Sequence, residues 1–170
     1  MGYSRALSAG KAWFALPAAL AVLTSTSTPA NAVMASTSGS RYSFHPAERC
    51  MMRKINRARA RHGLGRLNRD KQLGYVARKH ARRMAERGYI FHDSRLGSRV
   101  TRWRSLGQNV GRGGGCKGLF RAFMHSSKHR TNILGAWRFV GVGSKRRGGS
   151  IYVHHVFELY RDPGNVYRFP

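Results

Sequence analysis

The sequence predicts a layered α+β domain, and three observations carry that prediction. Two arginine-rich stretches and a shorter third one repeat apolar residues at helical spacing. Two later runs rich in β-branched and aromatic residues flank a Gly-Gly turn, which signals an antiparallel hairpin. Helices that bracket a hairpin bury their apolar faces on it, which gives layers.

Pro46 suits the first turn of the first helix, where its missing N–H costs nothing. Met51, Ile55, Ala58 and His62 then share one face of AERCMMRKINRARARHG, and Gly63 suits its end. Asp70 is the expected N-cap of the second helix. The inner face of that helix runs Leu73, Val76, Ala77, His80, Ala81 and Met84, and Gly88 closes it. Residues 93–106 read as irregular, and GQNVG (107–111) reads as a short strand edge before a turn at Gly113 to Gly115. A third helix is expected from about Cys116 to Ser126, with Leu119, Phe120, Phe123 and Met124 as its apolar face. The hairpin is WRFVGVGSK (137–145), the turn RRGGS, then IYVHHVFEL (151–159). The glycines of FVGVG read as close backbone packing or a bulge. GRGGG (111–115) lacks the Lys-Ser/Thr ending of a phosphate loop.

Charge bounds the function. The chain has 170 residues with 32 Lys+Arg against 6 Asp+Glu, a formal charge of +26. Its length allows one domain, and 41% apolar residues suffice for a packed core. The acids are Glu48, Asp70, Glu86, Asp93, Glu158 and Asp162. So few carboxylates exclude calcium-type cages and leave a paired-carboxylate glycosidase site without material. The excess positive charge must act through anionic partners.

Residues 1–32 read as a secretory signal. Arg5 and Lys11 make a positive start, Ala12 to Leu23 an apolar stretch, and Ala30-Asn31-Ala32 a cleavage pattern before Val33. The apolar stretch is short of the roughly 20 residues that span a bilayer, which argues against an anchor. No later segment is long and apolar enough to span, so the mature chain has no expected transmembrane segment. Residues 33–45 then form a flexible Ser/Thr-rich lead-in, 46–160 the domain and 161–170 a C-terminal tail. Removing 32 residues leaves 138, with a charge of +24 once Arg5 and Lys11 are gone. The expected localisation is secreted, extracellular. Cys50 and Cys116 are the only cysteines, too few for a four-cysteine zinc site. In an oxidising compartment their default is one disulfide, worth about 4 kcal/mol in the chain-entropy model.

The motifs INRARARHGLGRLNRD, ARKHARRMAERGYIFH, GQNV, FMHSSKHRTNIL, FVGVG and YVHHVF, in this order from about Glu48 to Phe157, carry a resemblance. The chain resembles the CAP family (cysteine-rich secretory, antigen 5 and pathogenesis-related 1 proteins; the SCP-like extracellular domain) in its short bacterial form. That resemblance implies a three-layer α–β–α sandwich with a central antiparallel sheet. It also implies that Cys50 and Cys116 tie the first helix to the start of the third. The family's cleft carries two histidines and two acids, and various members hold a divalent metal there. His92 and His129 match the two histidines, Gln108 stands where glutamate is usual, and Ser126 falls at the second acid. The cleft therefore keeps both imidazoles and loses both carboxylates. His92 and His129 are a partial site for zinc, weakly bound at most, and no cofactor is required.

The other histidines read as structural. His80 lies on the apolar stripe of the second helix, His62 at a helix end, and His45 before Pro46. His125 sits near Ser126 on the third helix and could reach the cleft or stay exposed. His154 and His155 are adjacent on a strand and must point to opposite faces, so they cannot share a site.

Three functions follow. The first is a non-catalytic secreted protein whose cleft holds a small apolar or lipid-like ligand, an analogy to parts of the family. The second is electrostatic adhesion to anionic cell-wall polymer, a membrane surface or DNA, with DNA contact non-specific because no base-reading motif is present. The third is a hydrolase acting on peptide or cell-wall material, disfavoured because no carboxylate base faces the imidazoles and no Ser-His-acid set is evident.

Overall fold

A computed structural model describes residues 43–160 and the backbone of 166–167. The expected signal, residues 33–42 of the lead-in and most of the tail lie outside the described residues.

In chain order the elements are α1 (Pro46–Arg61), β1 (Asn68–Asp70), α2 (Lys71–Arg87), α3 (Leu96–Arg99), β2 (Trp103–Gly113), α4 (Cys116–His125), α5 (Ser127–Leu134), β3 (Phe139–Arg147), β4 (Ser150–Tyr160) and β5 (Val166–Tyr167). The sheet order is β2-β4-β3-β1-β5. The β2–β4 and β3–β4 pairs are antiparallel, as is β1–β5, while β1 runs parallel to β3. The central sheet is thus antiparallel where it is long and gains one short parallel pair.

Alternation on the strands builds two cores. Val140, Val142, Ile151, Val153 and Phe157 face one way and pack on Met51, Met52 and Ile55 of α1, Leu119 and Phe123 of α4, and Ile133 of α5. Phe139 and Val156 face the other way, onto Leu73, Val76 and Ala77 of α2 and Leu96 of α3. Tyr152 and Val110 extend that second core over Ala81, Met84 and Ala85. Helices therefore cover both faces, the three-layer α–β–α sandwich.

Local signals start and stop the helices where expected. The Asp70 carboxylate accepts from the Leu73 N–H at 2.9 Å and caps α2, and Gly88 ends it at φ 81°. The buried Glu48 carboxylate accepts from His45 N–H at 3.0 Å, Arg78 Nε at 2.8 Å and Ser144 N–H at 3.2 Å, joining α1, α2 and β3. The Cys50–Cys116 disulfide ties α1 to the first residue of α4, with Cα atoms 6.3 Å apart. The glycines of FVGVG mark close packing: a Cβ on Gly141 or Gly143 would lie 2.1 Å from α2 backbone carbon. Gly148 and Gly149 supply the positive φ values, 53° and 70°, of the hairpin turn.

Five elements depart from the sequence reading, two of them the short strands β1 and β5, which it does not contain. Residues 93–106 contain the single-turn α3 and the first part of β2, which runs for 11 residues. Its glycines conceal the strand pattern because they make room for aromatic rings. A Cβ on Gly107 would meet Trp137 at 2.8 Å, and one on Gly111 would meet Phe123 at 2.6 Å. The polar segment SKHRTNIL forms α5 rather than a loop, with Ile133 buried beneath it. Its carbonyl end is held by the buried Arg59 guanidinium, which donates to Ile133 O at 3.0 Å and Gly135 O at 2.7 Å.

Candidate functional site

Strand β2 lies at one edge of the sheet, and the candidate residues approach it from both faces. Gln108 is paired with Val156, on the α2 face, and Asn109 with His155, on the α4/α5 face. The loop after α2 carries His92, while α5 carries His129.

On the α2 face, the Gln108 carboxamide grips the chain next to His92. Its Oε1 accepts from Asp93 N–H at 2.9 Å, and its Nε2 donates to Asp93 O at 3.2 Å. The same Oε1 accepts from His154 Nε2 at 3.1 Å. These bonds orient the amide and place the His154 proton on Nε2. Asp93 is buried, and its carboxylate is already engaged. Arg83 lies 2.9 Å and Arg99 3.2 Å from Oδ2, while Arg95 N–H donates to Oδ1 at 3.2 Å. His80 completes the layer: its Nε2 donates to Phe91 O at 2.6 Å and its Nδ1 accepts from Arg83 at 2.8 Å. Burial pushes the His80 pKa down. It pushes His154 far lower, with the neighbouring His80 ring, 4.6 Å away, adding to the effect.

On the opposite face, His129 Nδ1 bonds the Ser126 hydroxyl at 2.8 Å. Its backbone carbonyl accepts from Asn109 Nδ2 at 3.0 Å, and Asn132 Nδ2 donates to Asn109 Oδ1 at 2.8 Å. Phe123 stands between two imidazoles, with ring centroids 5.0 Å from both His129 and His155. Burial lowers the His129 pKa and the nearby His92 lowers it further. His155 is fully buried with no hydrogen bond on either ring nitrogen, and burial pushes it down to about 3.

The geometry thus brings His92, Ser126 and His129 to one sheet edge, with His92 exposed and His129 half-buried. Gln108 is turned inward, onto Asp93 and His154. Asn109, Asn132 and Asp93, which position these residues, were not singled out from the sequence; only the GQN motif hinted at Asn109. His125 is exposed at the end of α4.

Two imidazoles do not complete a zinc site. Among the described residues no group of three or more His, Cys, Asp or Glu is placed to hold a metal ion. The Gln108 oxygen already accepts two hydrogen bonds. Among the described residues the donor set does not complete a metal site. The Ser126–His129 pair resembles a nucleophile and base only in its distance. Among the described acids none hydrogen-bonds His129, so the pair lacks the acid that completes a triad.

A family model described as "CAP: Cysteine-rich secretory protein family" matches residues 52–160, more than half of the chain. No curated protein sequence is similar enough to count as a match. Among solved structures, an outer surface protein from Borrelia burgdorferi aligns with a TM-score of 0.62 at 15% identity, covering 68% of this chain and 93% of that one. An extracellular protein containing an SCP domain from Bacillus anthracis aligns at 0.56 and 25% identity, over 68% of this chain and 44% of that one. A cysteine-rich secretory protein from Staphylococcus aureus aligns at 0.57 and 22% identity, over 66% and 38%. The chain therefore spans less than half the length of the last two.

Proposed function

The chain belongs to the cysteine-rich secretory protein (CAP) family, and from that premise we propose that it is an exported, non-catalytic binding protein. Its recognition surface is the sheet edge bearing His92, Ser126 and His129, and its ligand is small and apolar or lipid-like. One observation carries this reading: the groups that could make the edge reactive are spent elsewhere. Gln108 occupies the usual acid position and is bonded to Asp93 and His154, while the Asp93 carboxylate is held by arginines. What remains is a hydroxyl and two rings, one of them with a lowered pKa, which suits an uncharged ligand better than a metal or a hydrolytic water. The extracellular and outer-surface descriptions of the structural neighbours support export. None of the described helices is long and apolar enough to cross a membrane.

The test is mass spectrometry of small molecules that co-purify with the secreted protein, beside a His92→Ala, His129→Ala double variant. A lipid-like species retained by the parent and lost from the folded variant supports the reading. Equal retention by both overturns it. The charge of +26 favours a second reading, adhesion to an anionic surface, which the same molecule can combine with the first.

A further inference from the structure

We infer that the loop after α2, with Tyr89 and Ile90 at its tip, docks on an anionic phospholipid surface. The inference deepens the reading of electrostatic adhesion and rests on it, naming the surface element and the partner. Tyr89 and Ile90 are adjacent, large and 55% and 46% exposed. Single exposed apolar residues are ordinary, but two at the tip of one loop are a feature to explain. The loop is not loosely hung. Phe91 packs at its base against the core formed by Ala81, Met84, Ala85, Val110 and Tyr152. His80 and Tyr152 bond the loop backbone at Phe91 O and Gly88 O, at 2.6 and 3.0 Å.

Three guanidiniums are held around this tip. Arg87 lies over the Phe91 ring at 4.8 Å. Arg112 donates to Gly88 O at 3.2 Å and Arg147 to Ala85 O at 2.6 Å. Carbonyls at the end of α2 attract these cations through the helix dipole, which accounts for their positions. These carbonyls carry only partial charges, so most of the arginines' positive charge is left to face outward. Of the described acids near the loop, Glu86 pairs with Arg82, and the buried Asp93 pairs with Arg83 and Arg99. An exposed tyrosine and isoleucine ringed by uncompensated arginines match the two layers of an anionic bilayer surface. The apolar tip enters the headgroup boundary, and the arginines meet lipid phosphates. A soluble polyanion would engage the arginines alone and leave the tip unused.

The test uses the full secreted chain and sedimentation with phosphatidylcholine vesicles containing about 30% phosphatidylglycerol, at low and at about 0.5 M salt. The parent should bind these vesicles and not pure phosphatidylcholine. A Tyr89→Ser, Ile90→Ser variant, melting like the parent, should bind about tenfold more weakly. An Ile90→Trp variant should show a blue-shifted emission on the anionic vesicles beyond that of the parent. If the parent fails to bind at low salt, the adhesion reading itself falls. If the parent binds, and the double variant binds equally with no emission shift in Ile90→Trp, adhesion stands. The docking loop is then wrong and a polyanion is the better partner.

Discussion

Acid should destabilise this domain through its buried histidines, and the share of one of them, His155, can be isolated. Its ring is fully buried against Phe123, without a hydrogen-bond partner, and stays neutral in the folded protein down to about pH 3. The unfolded chain has no such restraint and takes up the proton as the pH falls below about 6.5. The folded form thus binds fewer protons, so stability is full above that pH and declines as the pH falls toward 3. By pH 5 the loss from this one group is about 2 kcal/mol, roughly 8 °C in Tm for a domain of this size. His80 and His154 shift the same way, and Glu158 the opposite way, but all three persist in a His155→Phe variant. That variant keeps a ring against Phe123 and removes the titration. Urea unfolding of both proteins at about pH 7.5 and pH 5 should show the variant losing about 2 kcal/mol less. Equal losses in the two proteins would refute the claim that His155 is held neutral by burial.

Other outcomes follow from single contacts. Glu158 is buried and has its pKa raised to about 7 by burial and by Asp70, so its favourable contribution at low pH is lost as the pH rises through that value. Glu158→Gln should therefore raise Tm at about pH 8, with the gain shrinking toward pH 5. Gly143→Ala would set a Cβ 2.1 Å from Ala77 backbone and lift α2 off the sheet, costing more than about 3 kcal/mol by denaturant titration or preventing folding. Gly114→Ala, with nothing within 4 Å of the new Cβ, is its control and should change stability by less than about 0.5 kcal/mol. Reducing the Cys50–Cys116 disulfide, which spans 66 residues, should cost about 4 kcal/mol and lower the urea midpoint accordingly.

Much of the fold was legible because it depends on neighbours in sequence. The helical spacing of Leu73, Val76, Ala77 and His80 predicted the buried face of α2, and Asp70 and Gly88 predicted its ends. The Gly-Gly turn predicted the β3–β4 hairpin. Strand β2 was read too short because Gly107 and Gly111 answer to Trp137 and Phe123, residues distant in the chain. Helix α5 was missed because a buried arginine fastens its polar segment from α1. The motif residues nominate a candidate site along the chain. The direction of the Gln108 amide could not be read from it, since that depends on Asp93 and His154 arriving from elsewhere.

The two adjacent histidines show the division most clearly. Strand alternation alone dictates that His154 and His155 part to opposite faces, and the sequence determines that much together with the charge and the cysteine pair. What each ring then meets was decided only in three dimensions. His154 finds a glutamine oxygen under α2, whereas His155 finds only the Phe123 ring and no polar partner. Periodicity sets the side of the sheet a residue takes, because it is a property of the backbone. Partners depend on which distant elements close over that side, and that is a property of packing.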